Sequence, residues 1–259
     1  MSVDSNREKY ESAEVVSYYE RQRDLQPCEQ YLFERHLKAG MTILDMGVGG
    51  GRTTPYLAQL AKRYVGADYS KSMVEACRRR FPYLEFRLCD ATDMAQFASG
   101  EFDAVVFSFN GIDVIRTDEG RARCLAETAR VLKPGGIFIF SSHNARVLGE
   151  WPLLAEARGY QIPWPIFRSL FKSASLAARN FGRAHYSKGA GYIRDPVHGG
   201  MHHYVSTPET MIPQLQAAGF DVLEVVGGHF PHVRTSYFTP WYYYACRRQT
   251  ISAASDSKA

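Results

Sequence analysis

With 259 residues, 45% of them apolar and 13% aromatic, the chain suits one α/β domain carrying an insertion, and it has ample material for a core. It contains no 18-residue apolar run, which excludes a membrane-spanning helix, and a net charge of +4 is mild for the length. Five scattered cysteines (Cys28, Cys77, Cys89, Cys124, Cys246), never spaced C-x-x-C, argue against a disulfide framework or a zinc site and fit a reduced, cytoplasmic compartment.

Met1–Ser12 is polar, lacks the hydrophobic stretch of a secretory signal and reads as a disordered lead. From Ala13 to Leu37 the pattern is helical and amphipathic, and Gln26-Pro27 splits it into two helices. The stretch around which the chain is organised follows. Thr42-Ile43-Leu44-Asp45-Met46 is an apolar run with a carboxylate near its end, and four glycines occupy positions 47, 49, 50 and 51. Thr54-Pro55 then opens a helix with Leu57, Leu60 and Ala61 on one face. This is a strand, a tight turn and a helix start, the arrangement that lets a backbone lie directly against a ligand. A dinucleotide G-x-G-x-x-G would need a third glycine at 52, where the chain has Arg52.

Arg63–Asp68 reads as a second strand ending in an acid, with a helix over Lys71–Arg80 capped by Ser70 or Ser72. Asp68 lies 17 residues past Gly51, near the distance at which nucleotide-binding folds set a carboxylate against ribose hydroxyls. Leu84–Leu88 is the third strand, followed by Cys89-Asp90-Ala91. The fourth, Phe102–Ser108, is apolar enough to be buried on both faces and runs into Phe109-Asn110-Gly111-Ile112-Asp113. Arg116–Leu132 reads as a helix stopped by Lys133-Pro134-Gly135-Gly136, and Ile137–Ser141 begins the fifth strand, which ends in Ser142-His143-Asn144.

These features, spread over residues 42–141 in this order, resemble the class I S-adenosylmethionine (SAM) methyltransferases. The glycine turn resembles their first motif, and Leu132-Lys133-Pro134-Gly135-Gly136 before an apolar strand resembles a later one. The resemblance implies a Rossmann-like, doubly wound α/β fold with a seven-stranded, mostly parallel sheet. It implies S-adenosyl-L-methionine as cofactor, held by Asp45, Gly47, Gly49 and Gly51 of the turn. Asp68 and Tyr69 would lie at the ribose, Met73 over the adenine, Asp90 and the Ala91 amide at the adenine edge, and Phe109 and Asn110 beside the ring or the sulfonium. Tyr18-Tyr19-Glu20 is similar to the tyrosine-acid pair of the leading helix, which sends Tyr19 toward the methionine end. Met73 is equally ordinary core filler, paired tyrosines equally pack a helix, and Asp93 is the alternative to Asp90. Glu29 is a further candidate for the same cleft. The Asn/Asp-Pro-Pro-aromatic signature of base and amide N-methyltransferases is absent, which counts against such acceptors.

His143, at the end of the fifth strand, falls where a methyl acceptor docks and titrates in the range a general base requires, so it is the candidate catalytic residue. The bland alternative is a histidine tied to a neighbouring loop. Residues 145–206 then lack a motif order. They interleave aromatic residues with eight basic side chains against three acidic ones, and read as a helical lid carrying acceptor specificity. His198-x-x-x-His202-His203 invites a metal reading, but Gly199-Gly200 opposes the helix such a pair needs, and no metal is expected. A capped helix over Thr207–Ala218 and two strands, Phe220–Val226 and Trp241–Cys246, complete the fold.

The expected organisation is therefore 1–41 closing the cofactor cleft, 42–144 as the SAM-binding core, 145–206 as the lid, 207–248 as the closing helix and hairpin, and 249–259 as a frayed tail. The expected partner is a small-molecule substrate, with nucleic acid disfavoured by the lack of any basic run. A SAM-binding protein without transferase activity, an enzyme using SAM for another reaction, and, last, a nicotinamide oxidoreductase remain open at this point.

Overall fold

The computed structural model describes residues 5–146, 189–195, 201–235 and 239–250. Nine strands form one sheet: β1 Thr42–Met46, β2 Arg63–Asp68, β3 Glu85–Leu88, β4 Phe102–Phe107, β5 Leu132–Asn144, β6 Ala190–Asp195, β7 Met201–Ser206, β8 Phe220–Gly227 and β9 Trp241–Arg248. Along the main path the order is β3-β2-β1-β4-β5-β7-β6, with β9 lying between β5 and β8. β1 through β5 are mutually parallel, whereas β9 runs antiparallel to β5 and β8. The seven strands read from the sequence are all present. The sixth and seventh in chain order are a hairpin inside the segment read as a helical lid, so the end of that segment is sheet. Residues 147–188 and 196–200 of that segment, His198 among them, lie outside the described residues.

Alternation along β1 shows why the sheet is sandwiched. Ile43 packs with Leu32, Phe33 and Leu57 on one face, while Leu44 and Met46 join Cys124, Leu125, Met211 and Leu215 on the other. Helices α3 (Pro27–His36), α4 (Thr54–Leu60) and α5 (Lys71–Arg80) cover the first face. Helix α6 (Asp118–Val131) and the helix Pro208–Ala217 cover the second. Caps fix their starts: Ser70 Oγ accepts the Met73 N–H, and Thr117 Oγ1 accepts the Gly120 N–H.

The lead is not disordered where it is described. Ser5–Tyr10 forms α1 and Ala13–Arg21 forms α2. Polar residues hold α1 where the sequence pattern offered no apolar stripe. Buried Asn6 donates from Nδ2 to the His202 carbonyl (2.8 Å) and accepts the His202 N–H (3.1 Å), adding a β-like rung to β7. The Glu11 carboxylate accepts the Lys71 and Ser72 N–H groups (2.8 and 2.9 Å), which closes the start of α5 and holds this carboxyl below its usual range.

At its far end β5 outruns β4. His143 pairs with Trp241 of β9 on one edge and with Val205 of β7 on the other. The imidazole is thus mounted on a strand gripped from both sides.

Candidate functional site

A cavity of about 290 Å³ opens at the carboxyl ends of β1, β2 and β4, where ligands sit in a doubly wound sheet. Met46 and Gly47 come from the first turn, Asp68 and Tyr69 from the end of β2, and Cys89 through Thr92 from the loop after β3. Phe107, Ser108 and Phe109 follow β4, Val114 through Thr117 form the far wall, and Tyr10 and Tyr19 close over from the leading helices.

The glycine turn is shaped by two close approaches. At Gly47 (φ 65°) a Cβ would strike the Phe107 ring, and at Gly50 it would strike the Tyr19 backbone. The turn is therefore bare on both sides, facing β4 and facing α2. Asp68 supports it from below: its carboxylate accepts the N–H of Gly49 and of Ser70, each at 2.9 Å, while lining the cavity. Burial pushes Asp68 up to about 6, and those two N–H donors oppose the shift. Burial likewise raises the Tyr19 and Tyr10 hydroxyls, whose rings are 5.9 Å apart, with Tyr69 5.9 Å from Tyr10.

Five residues expected at the cofactor, Asp45, Gly49, Gly51, Met73 and Asn110, do not line this cavity. Asp45 is behind the turn, accepting from Thr53 Oγ1 (2.6 Å) and the Tyr64 hydroxyl (2.8 Å), and burial pushes it up to about 7. It braces the loop and does not line the cavity, because the strand's alternation turns its side chain away. Met73 packs with Val16 and Ala76 between α2 and α5, the core-filler alternative. A Cβ on Gly51 (φ 79°) would meet Phe81 and Cys77, so its freedom serves packing behind the turn. Gly49 contributes its backbone to the same loop rather than to the wall. Tyr19, Gly47, Asp68, Tyr69, Asp90, Ala91 and Phe109 line the cavity together. Asp90 is exposed and shares Oδ1 with the Thr92 N–H and hydroxyl (2.8 Å each), whereas Asp93 lies outside the cavity.

Glu29 is buried and does not reach the cavity. It receives both ends of the Arg52 guanidinium (2.5 and 2.8 Å) and accepts the Gln26 N–H and the Tyr243 hydroxyl. Arg52 also lies 5.1 Å over the Phe109 ring, so the residue that breaks the dinucleotide spacing anchors the turn instead.

His143 lies beside the cavity and does not line it. Its Nδ1 is 2.8 Å from Asp113 Oδ2, its Nε2 is 3.2 Å from Asn110 Nδ2, and its ring stacks on His203 (5.1 Å, 8°). Asn110, expected at the cofactor, thus faces the histidine, and Phe109 beside it turns to the cavity. Sequence reasoning missed Tyr10 and Ser108; it set the run ending in Asp113 at the pocket but not Asp113 against His143. Asp113 stands three residues past Asn110, a local signal, but only the fold brings it to β5. Tyr10 sat in a segment too polar to read as ordered.

The residues present fit a nucleoside-bearing sulfonium compound. Bare backbone borders the cavity, a buried carboxylate and an exposed one face it, and the buried Ser108 Oγ has no hydrogen-bond partner among the described residues. Comparisons with known proteins agree. Residues 44–140 match the methyltransferase domain family. A demethylmenaquinone methyltransferase from Clavibacter sepedonicus is 36% identical over 190 residues, covering 72% of this chain and 68% of that protein. The chain belongs to the class I SAM-dependent methyltransferases. It is an enzyme that uses SAM, which retires the nicotinamide and non-catalytic alternatives.

The enzyme is also 36% identical over 124 residues to a fatty-acid O-methyltransferase of Mycolicibacterium smegmatis, of which it spans 43%. Its fold matches a 1,6-didemethyltoxoflavin-N1-methyltransferase of Burkholderia thailandensis, solved with its acceptor and S-adenosylhomocysteine (TM-score 0.59, 14% identity, 96% of this chain and 92% of the other). No described helix of the enzyme is long and apolar enough to cross a membrane.

Proposed function

We propose that this enzyme transfers the SAM methyl group to an oxygen or nitrogen of a small, aromatic or anionic acceptor, and that His143 takes up the proton the acceptor loses. The observation that carries this is one juxtaposition. A cavity with carboxylates at Asp68 and Asp90 ends at Phe109, and the next residue, Asn110, touches a histidine whose other nitrogen rests on a buried acid.

In this reading Asp68 receives the ribose hydroxyls, and Asp90 and the Ala91 amide take the adenine edge. Tyr19 and Tyr10 cover the amino-acid end, and Phe109 borders the sulfonium. When bound, SAM supplies an electrophilic methyl group. The protein's own share is to exclude water, hold the acceptor in line and receive a proton at His143 Nε2. Positioning contributes on the order of 7–11 kcal/mol, against roughly 3–5 kcal/mol for a general base worth 10²–10⁴-fold. Residues 1–41 close the cofactor side and 145–206 set acceptor specificity, with their basic excess favouring an anionic group.

A second reading is supported by two relatives' names, the Clavibacter demethylmenaquinone methyltransferase and a ubiquinone/menaquinone biosynthesis C-methyltransferase of Desulfotalea psychrophila: the methyl goes to a carbon of a quinone-related acceptor. His143 serves there as well, since removing a hydroxyl proton enriches the adjacent ring carbon in electrons.

The test is to incubate the enzyme with methyl-labelled SAM and fractionated small molecules, then identify the labelled product. Label on oxygen or nitrogen supports the first reading and label on carbon the second. Label appearing only in macromolecules would overturn both.

A further inference from the structure

The histidine at the end of β5 is held at both ring nitrogens. Asp113 is fully buried and gathers three donors: the Ser142 hydroxyl (2.8 Å), the His143 N–H (2.7 Å) and His143 Nδ1 (2.8 Å). A carboxylate so placed accepts, which favours a hydrogen on Nδ1 and, in the neutral ring, a lone pair on Nε2. The Asn110 Nδ2 amide donates to that lone pair at 3.2 Å. Its other end, Oδ1, is buried with no hydrogen-bond partner among the described residues. Asn110 (φ 62°) and Phe109 (φ 56°) both sit in the left-handed region, a costly conformation for two successive non-glycine residues, and Ser141 Oγ accepts the Asn110 N–H at 2.7 Å.

A buried acceptor without a donor, placed beside a nitrogen that gains a proton, has a simple resolution. Resting on the reading of His143 as base, we propose that Asp113 and Asn110 form a proton-responsive clamp on this ring. Asp113 fixes the Nδ1–H tautomer, and the Asn110 carboxamide turns over when Nε2 is protonated, so that Oδ1 receives the new N–H. Both act as positioning residues. At rest the amide covers Nε2, and the acceptor reaches it only as the amide swings aside. The acceptor's O–H bond then breaks, its electron pair stays on oxygen, an N–H bond forms at Nε2, and the carboxamide closes with Oδ1 inward. A hydrogen bond from a charged donor replaces one to a neutral ring; Oδ1 gains a donor while Nδ2 moves into the buried place Oδ1 leaves, so the charged bond is what drives the turn. The charged and titratable groups around the ring are Asp113 from the turn after β4, His203 stacked from β7, Arg121 of α6 (3.7 Å from Asp113) and the Tyr244 hydroxyl of β9 near Asp113.

The experiment is long-range nitrogen–proton NMR on the full chain with labelled histidine and asparagine, assigned against His143→Gln and Asn110→Gly. The expected wild-type result is an Nδ1–H ring at neutral pH, with Asn110 amide resonances that move over the same pH range as the His143 ring. Asn110→Gly keeps the backbone conformation without steric cost. It should leave the tautomer in place and lower the proton affinity of Nε2 about tenfold, the loss of one hydrogen bond to a charged group. Asp113→Asn should release the tautomer. An Nε2–H ring in the wild type, or an Asn110 amide indifferent to His143 protonation, would overturn the clamp. Those spectra need no variant beyond assignment, so a failure of Asp113→Asn to fold leaves the answer intact. If His143→Gln turns over acceptor at the wild-type rate, the base assignment falls instead, and the tautomer result separates the two failures.

Discussion

Arg52 grips Glu29 with both guanidinium nitrogens, at 2.5 and 2.8 Å, and this buried fork joins the glycine turn to α3. The side chains are 10% and 0% exposed, so neither charge has water to fall back on. Glu29→Ala should cost about 3–5 kcal/mol by leaving a buried cation unpaired. Exchanging both residues for methionine should cost clearly less. Denaturant unfolding of the two variants checks the order, and equal losses would contradict it.

Asp68 is the group on which cofactor affinity should turn. Burial pushes its carboxyl up to about 6, and in the proposed reading ribose hydroxyls would donate to the ionised form. Affinity for SAM is therefore full above about pH 7 and declines by up to about tenfold per unit as pH drops below about 6. Asp68→Asn should bind weakly at every pH. Calorimetric titration between pH 5 and 8 measures both, and a flat wild-type profile would remove Asp68 from the ribose.

Asp45 should leave its mark on stability. Its folded value, about 7, lies above the ordinary carboxylate value, so folding favours the protonated form. That contribution is complete below about pH 4 and is lost as pH climbs toward 7, to the extent of roughly 3–4 kcal/mol. Asp45→Asn accepts from Thr53 and Tyr64 without ionising. It should overtake the wild type in melting temperature across that window.

His143→Ala should lower turnover by 10²–10⁴-fold while sparing SAM affinity. Rate and cofactor binding, measured on the same preparation once an acceptor is in hand, decide the matter. Parallel losses would mean the ring supports the cavity rather than the chemistry.

Asn6 offers a probe of the leading helices. Asn6→Ala strips two hydrogen bonds from the His202 backbone, at about 1–3 kcal/mol for the groups left behind. Hydrogen exchange in α1 should quicken and SAM should bind less tightly, because Tyr10 rides on that helix. Unchanged exchange would show that α1 is held by other contacts.

The strands and the glycine turn were legible because burial writes itself into apolar runs: Phe102–Phe107 and Ile137–Phe140 admit almost no other reading. That Asp68 stands at the end of the second strand was legible from spacing, and it lines the cavity there. That Asp45 faces Thr53 and Tyr64 rather than the cavity was not legible, because sequence shows a carboxylate at a strand end but not which way the pleat turns it. The pairing of Asp113 with His143 escaped notice because the two are 30 residues apart. The β6–β7 hairpin was hidden in a segment where glycines and histidines mask the alternation, and α1 because its anchors are hydrogen bonds rather than an apolar face.

Ser206 fixes the distance between the two ends of the chain that joins β5 to β6. Its carbonyl takes the Ala145 N–H at 3.0 Å, and it pairs with Ala190 on the opposite side. The points where the intervening chain departs and rejoins are thus two strand spacings apart, about 10 Å. Bridging so short a span needs no fixed length, and each doubling of a flexible connection adds only about 0.6 kcal/mol. A change in the length of the chain between 146 and 189 should therefore disturb the flanking strands little, and insertion or deletion there followed by thermal unfolding measures it.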